Sequence, residues 1–192
     1  MGLKKEFKAD KPHSNIFGKL YLTKKQRKQI LKWSLYGALL LLLSLLQDIV
    51  LCKINVMGTT TELVPVGIFL ICILEGAESG SIFALTASLL YLFSGSAAGP
   101  YSMTFITVLA VGVTIFRQAY LQKGFSAALL CAGTATFVYQ MLQFLMLLFL
   151  RLTIAGRFVG FVIKAAMSVL IILPMYPIAM SIGKIGGDTW KE

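Results

Sequence analysis

The sequence predicts an all-α, polytopic membrane protein, a six-transmembrane-helix bundle with both termini in the cytoplasm. Of the 192 residues, 57% are hydrophobic and only 14% are charged, and the mean hydropathy is +0.81. Soluble domains carry about 25% charged residues. Long apolar runs recur along the chain, as transmembrane helices require. The basic residues, finally, are distributed unevenly between the segments that join these runs.

Six apolar segments account for the predicted helices. We predict their bounds as 33–52, 63–76, 79–96, 101–118, 125–150 and 158–183. The transmembrane domain is therefore 33–183. The second segment is short for a bilayer. Gly95, Gly99 and Pro100 mark the turn after the third segment, and Pro174 and Pro177 should kink the sixth.

The charge distribution predicts the orientation. Residues 1–32 form a basic tail that holds ten of the 18 Lys and Arg and ends directly at an apolar segment. Such a tail binds anionic headgroups, and we favour this partner over nucleic acid. The predicted lipid contacts are Lys24, Lys25, Arg27, Lys28 and Lys32. With the N-terminus inside, 14 basic residues face the cytoplasm and three face outward, so the short tail 184–192 is also cytoplasmic.

The tail itself has two interpretations. Segment 14–22 places Ile16, Phe17, Leu20 and Tyr21 at helical spacing beside lysines, which fits a short helix lying on the inner leaflet. A disordered basic tail is the alternative.

Small residues recur every four positions in two of the predicted helices. The two stripes are Gly76, Gly80, Ala84 and Ser88, then Gly124, Ala128, Ala132 and Thr136. In lipid, close approach of backbones along small residues brings helices together. The stripes are therefore candidate helix-docking faces. Packing inside the bundle, docking of a partner helix and the lining of a conduit remain open, although no charge recurs along either stripe.

Two ionisable residues fall inside the predicted spans. Asp48 and Lys164 each lie about 8–10 Å below the outer surface, at 1.5 Å per residue. Charges at that depth usually face the bundle and pair. We therefore hypothesise an Asp48–Lys164 ion pair with Gln47, Gln140 or Gln143 as polar neighbours. Outward snorkelling of Lys164 to the headgroups is the alternative.

Catalytic and metal-binding patterns are not recognisable in the sequence. The single histidine, His13, lies in the basic tail, and the three cysteines form no CxxC motif, which makes them small buried hydrophobes. Glu75 and Glu78 flank Gly76 without a histidine nearby. We interpret them as a solvated turn that contacts a partner or the basic tail. The sequence thus predicts a protein that is not an enzyme and needs no cofactor or metal.

Two segments resemble a known family. "LLQDIVL" (45–51) and "GAESGSIFALTASLLYLFSGSAAGPYSMTFITVLAVG" (76–112) resemble the rod shape-determining protein MreD family. That family has a Gly-rich third helix, a polar break, and a Gly followed by an aromatic residue and a fourth helix. These features fall here on Gly80, Gly95, Gly99 and Tyr101.

The resemblance covers roughly residues 33–150 and has one departure. In the family, the third helix commonly has an acidic residue eight positions before the Gly that corresponds to Gly99. This chain has Tyr91 at that position. Ala87 stands where a Gly is usual. No functional role is carried over to Tyr91.

The resemblance implies a non-enzymatic subunit of the bacterial cell-elongation machinery in the inner membrane. Such a subunit would bind a single-span scaffold protein such as MreC and help to organise peptidoglycan synthases. The family also resembles in fold the substrate-binding subunits of energy-coupling-factor vitamin transporters, which gives the alternative function. Those subunits often dock through an Ala-xxx-Ala stripe in the first helix. In the first predicted helix of this chain, Gly37 and Ala38 are each followed four residues later by Leu, so the Ala-xxx-Ala stripe is missing.

Overall fold

The chain folds as a bundle of helices. A computed structural model describes residues 24–49, 53, 61–120 and 124–185, and all regular structure within those ranges is helical. The helices are α1 (Lys24–Ile49), α2 (Val64–Glu75), α3 (Ala77–Phe93), α4 (Tyr101–Tyr120), α5 (Phe125–Phe149) and α6 (Phe158–Ile185). A short 3₁₀ turn, Ala155–Arg157, precedes α6. For the described residues, the predicted all-α fold is confirmed.

The helices differ in length. Four of them, α1, α4, α5 and α6, are long and apolar enough to cross a membrane, which indicates a membrane protein. The other two are apolar but have 12 residues in α2 and 17 in α3. At 1.5 Å per residue, α2 is about 18 Å long, well short of a hydrocarbon core of about 30 Å. It stops at Gly76, whose φ of 94° lies in the left-handed region that favours glycine.

Four helices, α1, α3, α4 and α6, extend beyond their predicted bounds at one end. The first, α1, begins at Lys24 because "KKQRKQILKW" consists mostly of good helix formers. The predicted segment 14–22 lies outside the described residues. The last, α6, continues through Pro174 and Pro177 as one helix and ends at Ile185.

The centre of the bundle is α2. Every residue from Val64 to Leu74 is buried, and α2 packs against all five other helices. A helix that is apolar on all sides must be buried in protein or lipid, and "VPVGIFLICIL" is such a sequence. The second predicted span is therefore an internal helix with protein on every side.

The first small-residue stripe packs inside the bundle. Gly80, Ala84 and Ser88 are buried. Gly80 meets α2, where the Cys72 thiol donates a hydrogen bond to its carbonyl oxygen at 3.1 Å. Farther along α3, the Ser88 and Thr107 hydroxyls lie 3.0 Å apart and join α3 to α4. Gly76, at the break between α2 and α3, is half-buried.

The second stripe is also internal. Ala128, Ala132 and Thr136 are buried, and Gly124, the N-cap of α5, is half-buried. Helix α5 packs against α2, α4 and α6. Both stripes are thus packing faces between helices of the same chain. Their buried residues are not available to a separate partner helix.

Gly80→Ala should destabilise the protein by about 1–3 kcal/mol, the usual cost of overpacking. An added Cβ would lie 3.0 Å from both the Cα and the carbonyl oxygen of Cys72. These are backbone atoms, so α2 and α3 must move apart. Gly112→Ala is the matched control, because a Cβ there meets no atom within 4 Å. Thermal unfolding of both variants in mild detergent measures the difference, and equal melting temperatures would contradict this account of α3 packing.

Candidate functional site

A buried ion pair holds each end of α2. At the start of the helix, Glu62 pairs with Lys164 of α6 at 2.6 Å. At its last residue, Glu75 pairs with Lys32 of α1 at 2.5 Å. All four side chains are mostly buried, with 3–12% of their surface exposed. We call these two places the Glu62 end and the Glu75 end.

Helix α5 adds polar side chains to the Glu62 end. The Gln140 amide donates to the second oxygen of the Glu62 carboxylate at 3.3 Å. Tyr139, one residue before Gln140, accepts a hydrogen bond from the Gln143 amide at 2.6 Å. We call Glu62, Tyr139, Gln140, Gln143 and Lys164 the Glu62 cluster. It brings three helices together around one buried carboxylate.

The N-terminus of α2 is capped by a residue of α1. The first N–H groups of a helix lack partners within it, and the side chain of the N-cap residue, Leu63, cannot accept a hydrogen bond. Gln47 supplies the acceptor: its side-chain oxygen receives the N–H groups of Leu63 at 2.8 Å and Val64 at 3.2 Å. The Gln47 amide also donates to the Tyr91 hydroxyl at 3.4 Å.

The hypothesised Asp48–Lys164 pair is wrong. Asp48 is exposed and accepts a hydrogen bond from the Ser96 hydroxyl at 2.7 Å, which ties α1 to the turn after α3. Lys164 turns inward to Glu62, so outward snorkelling is also wrong. The physical reason is burial, since the Glu62 carboxylate is enclosed by the bundle and requires a countercharge there, whereas Asp48 is exposed on the outside of the bundle. Of the predicted polar neighbours, Gln140 does reach this ion pair.

The Glu75 end is built in a similar way. The Tyr36 hydroxyl donates to Glu75 at 2.7 Å, beside the Lys32 ammonium. The Arg117 guanidinium donates to the carbonyl oxygen of Ile73, one of the last α2 carbonyls that have no partner within the helix. A cation at this position also complements the helix dipole. Two helices, α1 and α4, therefore bind the end of α2.

These contacts correct two sequence predictions. Lys32 is 4% exposed and pairs with Glu75, so it is not a lipid contact. Glu75 contacts the basic tail, as predicted, through Lys32, but its side chain is buried and is not part of a solvated turn, whereas Glu78 is exposed. Arg27 and Lys28 are exposed, and their contact with anionic lipid stays a prediction. The side chains of Lys24 and Lys25 lie outside the described part of the chain.

The described cysteines are buried thiols. Cys72 and Cys131 are free and buried, as predicted for small hydrophobes, and Cys52 lies outside the described residues. Across 24–49, 53, 61–120 and 124–185, no group of three or more His, Cys, Asp or Glu is placed to hold a metal ion.

Sequence reasoning missed Glu62, Tyr36 and the capping role of Gln47. A signal for Glu62 was present, since Glu62 and Glu75 bracket the one segment that is apolar on every side. A carboxylate at the boundary of a fully buried helix is itself buried and needs a partner. No comparable signal marked Tyr36.

Comparison with known proteins adds no family assignment. No protein-family profile, no curated protein and no solved structure matches the chain.

Proposed function

We propose that the chain is a non-enzymatic, multi-pass subunit of the bacterial cell-elongation complex in the inner membrane. It binds a single-span scaffold partner such as MreC and helps to organise peptidoglycan synthases. All six helices belong to the membrane domain, with both termini in the cytoplasm, so the Glu62 end lies toward the outer surface. The Glu75 end lies toward the cytoplasm, where Arg27 and Lys28 contact anionic lipid. The resemblance of 45–51 and 76–112 to the MreD family supports this assignment.

The observation that carries the proposal is the complete burial of α2 between two ion pairs. Transporters place charged groups or broken helices near the middle of the membrane, where the solute binds. In this bundle the middle is filled by the apolar side chains of Val64–Leu74. Such a core favours a bundle of fixed shape, which suits a subunit that acts by holding other proteins in place.

The Glu62 end favours a second candidate, the substrate-binding subunit of an energy-coupling-factor-type vitamin transporter. The side-chain oxygens of Gln140 and Gln143 are buried and have no hydrogen-bond partner among the described residues. Unpaired buried polar atoms cost free energy. A small polar ligand beside Glu62 would satisfy them, as a vitamin pocket near the outer surface would require.

Affinity purification of the tagged chain from its bacterial host in mild detergent separates the two functions. The proposal predicts recovery of a membrane-anchored coiled-coil protein or a cell-wall synthase, and rounded cells when the chain is depleted. Native mass spectrometry of the same preparation reports any bound small molecule. An unrelated tagged six-helix protein is the control. Recovery of a bound vitamin with two ATPase subunits would contradict the scaffold function and support the second candidate.

A further inference from the structure

A groove on the surface of the bundle separates α1 from α3. It encloses about 330 Å³ and has Val64 of α2 at its base. The α1 wall includes Gly37 and Ser44, and the α3 wall includes Thr86, Ala87 and Ser94. Its lining is almost entirely apolar.

The walls of the groove combine these small residues with large ones, which are Leu40 and Leu41 on α1 and Phe83, Leu90, Tyr91 and Phe93 on α3. A Cβ built on Gly37 meets no atom within 4 Å, so this part of α1 is open. The adjacent face of α1 consists of large exposed residues such as Leu42 and Leu45. Apolar area alone does not bring helices together in lipid, but small residues that let backbones approach closely do.

A carboxylate lies at one end of the groove. Asp48 follows Ser44 by four residues on α1, which places both on one helix face. One of its oxygens accepts the Ser96 hydrogen bond, and the side chain is exposed. Within the described ranges, Glu62 and Glu75 have lysine partners, whereas no basic side chain pairs with Asp48. Ionisable groups at membrane depth usually find a partner, so the charge at this end of the groove is complementary to a cation.

We propose that the groove between α1 and α3 docks a transmembrane helix of a partner protein that carries a Lys or Arg next to Asp48. This inference rests on the proposed function, because the partner is the single-span protein. In the proposed orientation, Asp48 lies near the outer surface. The partner's basic residue therefore lies near the outer end of its span, where the positive-inside rule makes such residues uncommon. The ion pair between Asp48 and this basic residue thereby distinguishes the partner's helix from the transmembrane helices of other single-span proteins.

Filling the groove tests the proposal. Gly37→Leu places a large side chain in the open space, and Gly112→Leu is the matched control on α4, where an added Cβ also meets nothing within 4 Å. We expect Gly37→Leu to reduce the single-span protein recovered per tagged chain by about tenfold. Gly112→Leu should leave the recovery unchanged, and both variants should have the same melting temperature as the wild type. Equal recovery with the two variants would overturn the proposal.

A photo-crosslinking amino acid at Thr86 identifies the occupant. We expect an adduct with a single-span protein that has a Lys or Arg at the outer end of its span. Asp48→Asn should weaken that adduct in intact membranes. Adducts only with lipid, with a second copy of this chain, or with a helix that lacks the basic residue would each overturn the proposal.

The outcomes separate this inference from the proposed function. If the wild type recovers a coiled-coil scaffold and Gly37→Leu recovers the same amount, the groove assignment fails and the proposed function stands. If the wild type recovers no single-span protein, the groove assignment fails, and if it also recovers no cell-wall synthase, the proposed function fails as well.

Discussion

Replacing Lys32 with methionine should lower the free energy of unfolding by about 3–5 kcal/mol, the usual cost of leaving one partner of a buried ion pair without the other. The side chains of Lys32 and Glu75 are only 5% and 3% exposed, so water cannot replace the lost ammonium. Adding Glu75→Gln should restore much of the loss, because the amide is neutral and still accepts the Tyr36 hydrogen bond. Denaturant titration of the purified protein in detergent measures these differences.

Lys28→Met is the matched control for Lys32→Met. Lys28 lies one turn earlier on α1 and is exposed, so its replacement should change the stability by less than about 0.5 kcal/mol. If the two variants are equally stable, Lys32 is a surface lysine and the account of the Glu75 end is wrong.

Lys164→Met should be about as damaging, with a loss of about 3–5 kcal/mol, because it leaves Glu62 buried without a countercharge. A double-mutant cycle identifies the partner. Lys164→Met combined with Glu62→Gln should be markedly more stable than the sum of the single changes predicts. Lys164→Met combined with Asp48→Asn should be additive within about 0.5 kcal/mol, because Asp48 bonds Ser96 instead. Stronger coupling to Asp48 than to Glu62 would contradict the structure.

The sequence was a good guide to the elements and a poor guide to their rotation about their own axes. Gln47 and Asp48 are neighbours in a Leu-rich helix without a distinct polar face. A rotation of about 100° per residue buries the first and exposes the second. Only the packing of α1 against α2 decides which of them points inward. The ion pair was therefore predicted with the wrong carboxylate.

A buried stripe on α1 could have been recognised. Its members are Lys32, Tyr36, Leu40, Leu43 and Gln47, which recur every three or four positions as a core-facing stripe does. Lys32 and Gln47 stand at its two ends, about 22 Å apart at 1.5 Å per residue. That distance is close to the length of α2, and these two residues hold the two ends of α2. Because Lys32 follows several other basic residues in the sequence, it was predicted as a lipid contact, and the buried stripe that it begins was not recognised.

The small-residue stripes were predicted as helix-docking faces, and the structure assigns them to docking within the chain. Periodicity identified the faces correctly, because a stripe of Gly, Ala and Ser allows close approach to any helix. It could not distinguish an internal neighbour from a partner. That distinction required α2, whose burial on every side brings Cys72 against Gly80.

The central claim is that α2 is shielded from water on every side and is held at both ends by ion pairs. Hydrogen–deuterium exchange in lipid nanodiscs is the most direct test of this claim. The account predicts that the amides of Val64–Leu74 exchange no faster than those of α4. It also predicts that Lys164→Met accelerates exchange at the Glu62 end and Lys32→Met at the Glu75 end. Faster exchange along α2 than along α4 in the wild type would show that water reaches the centre of the bundle, and would contradict the account.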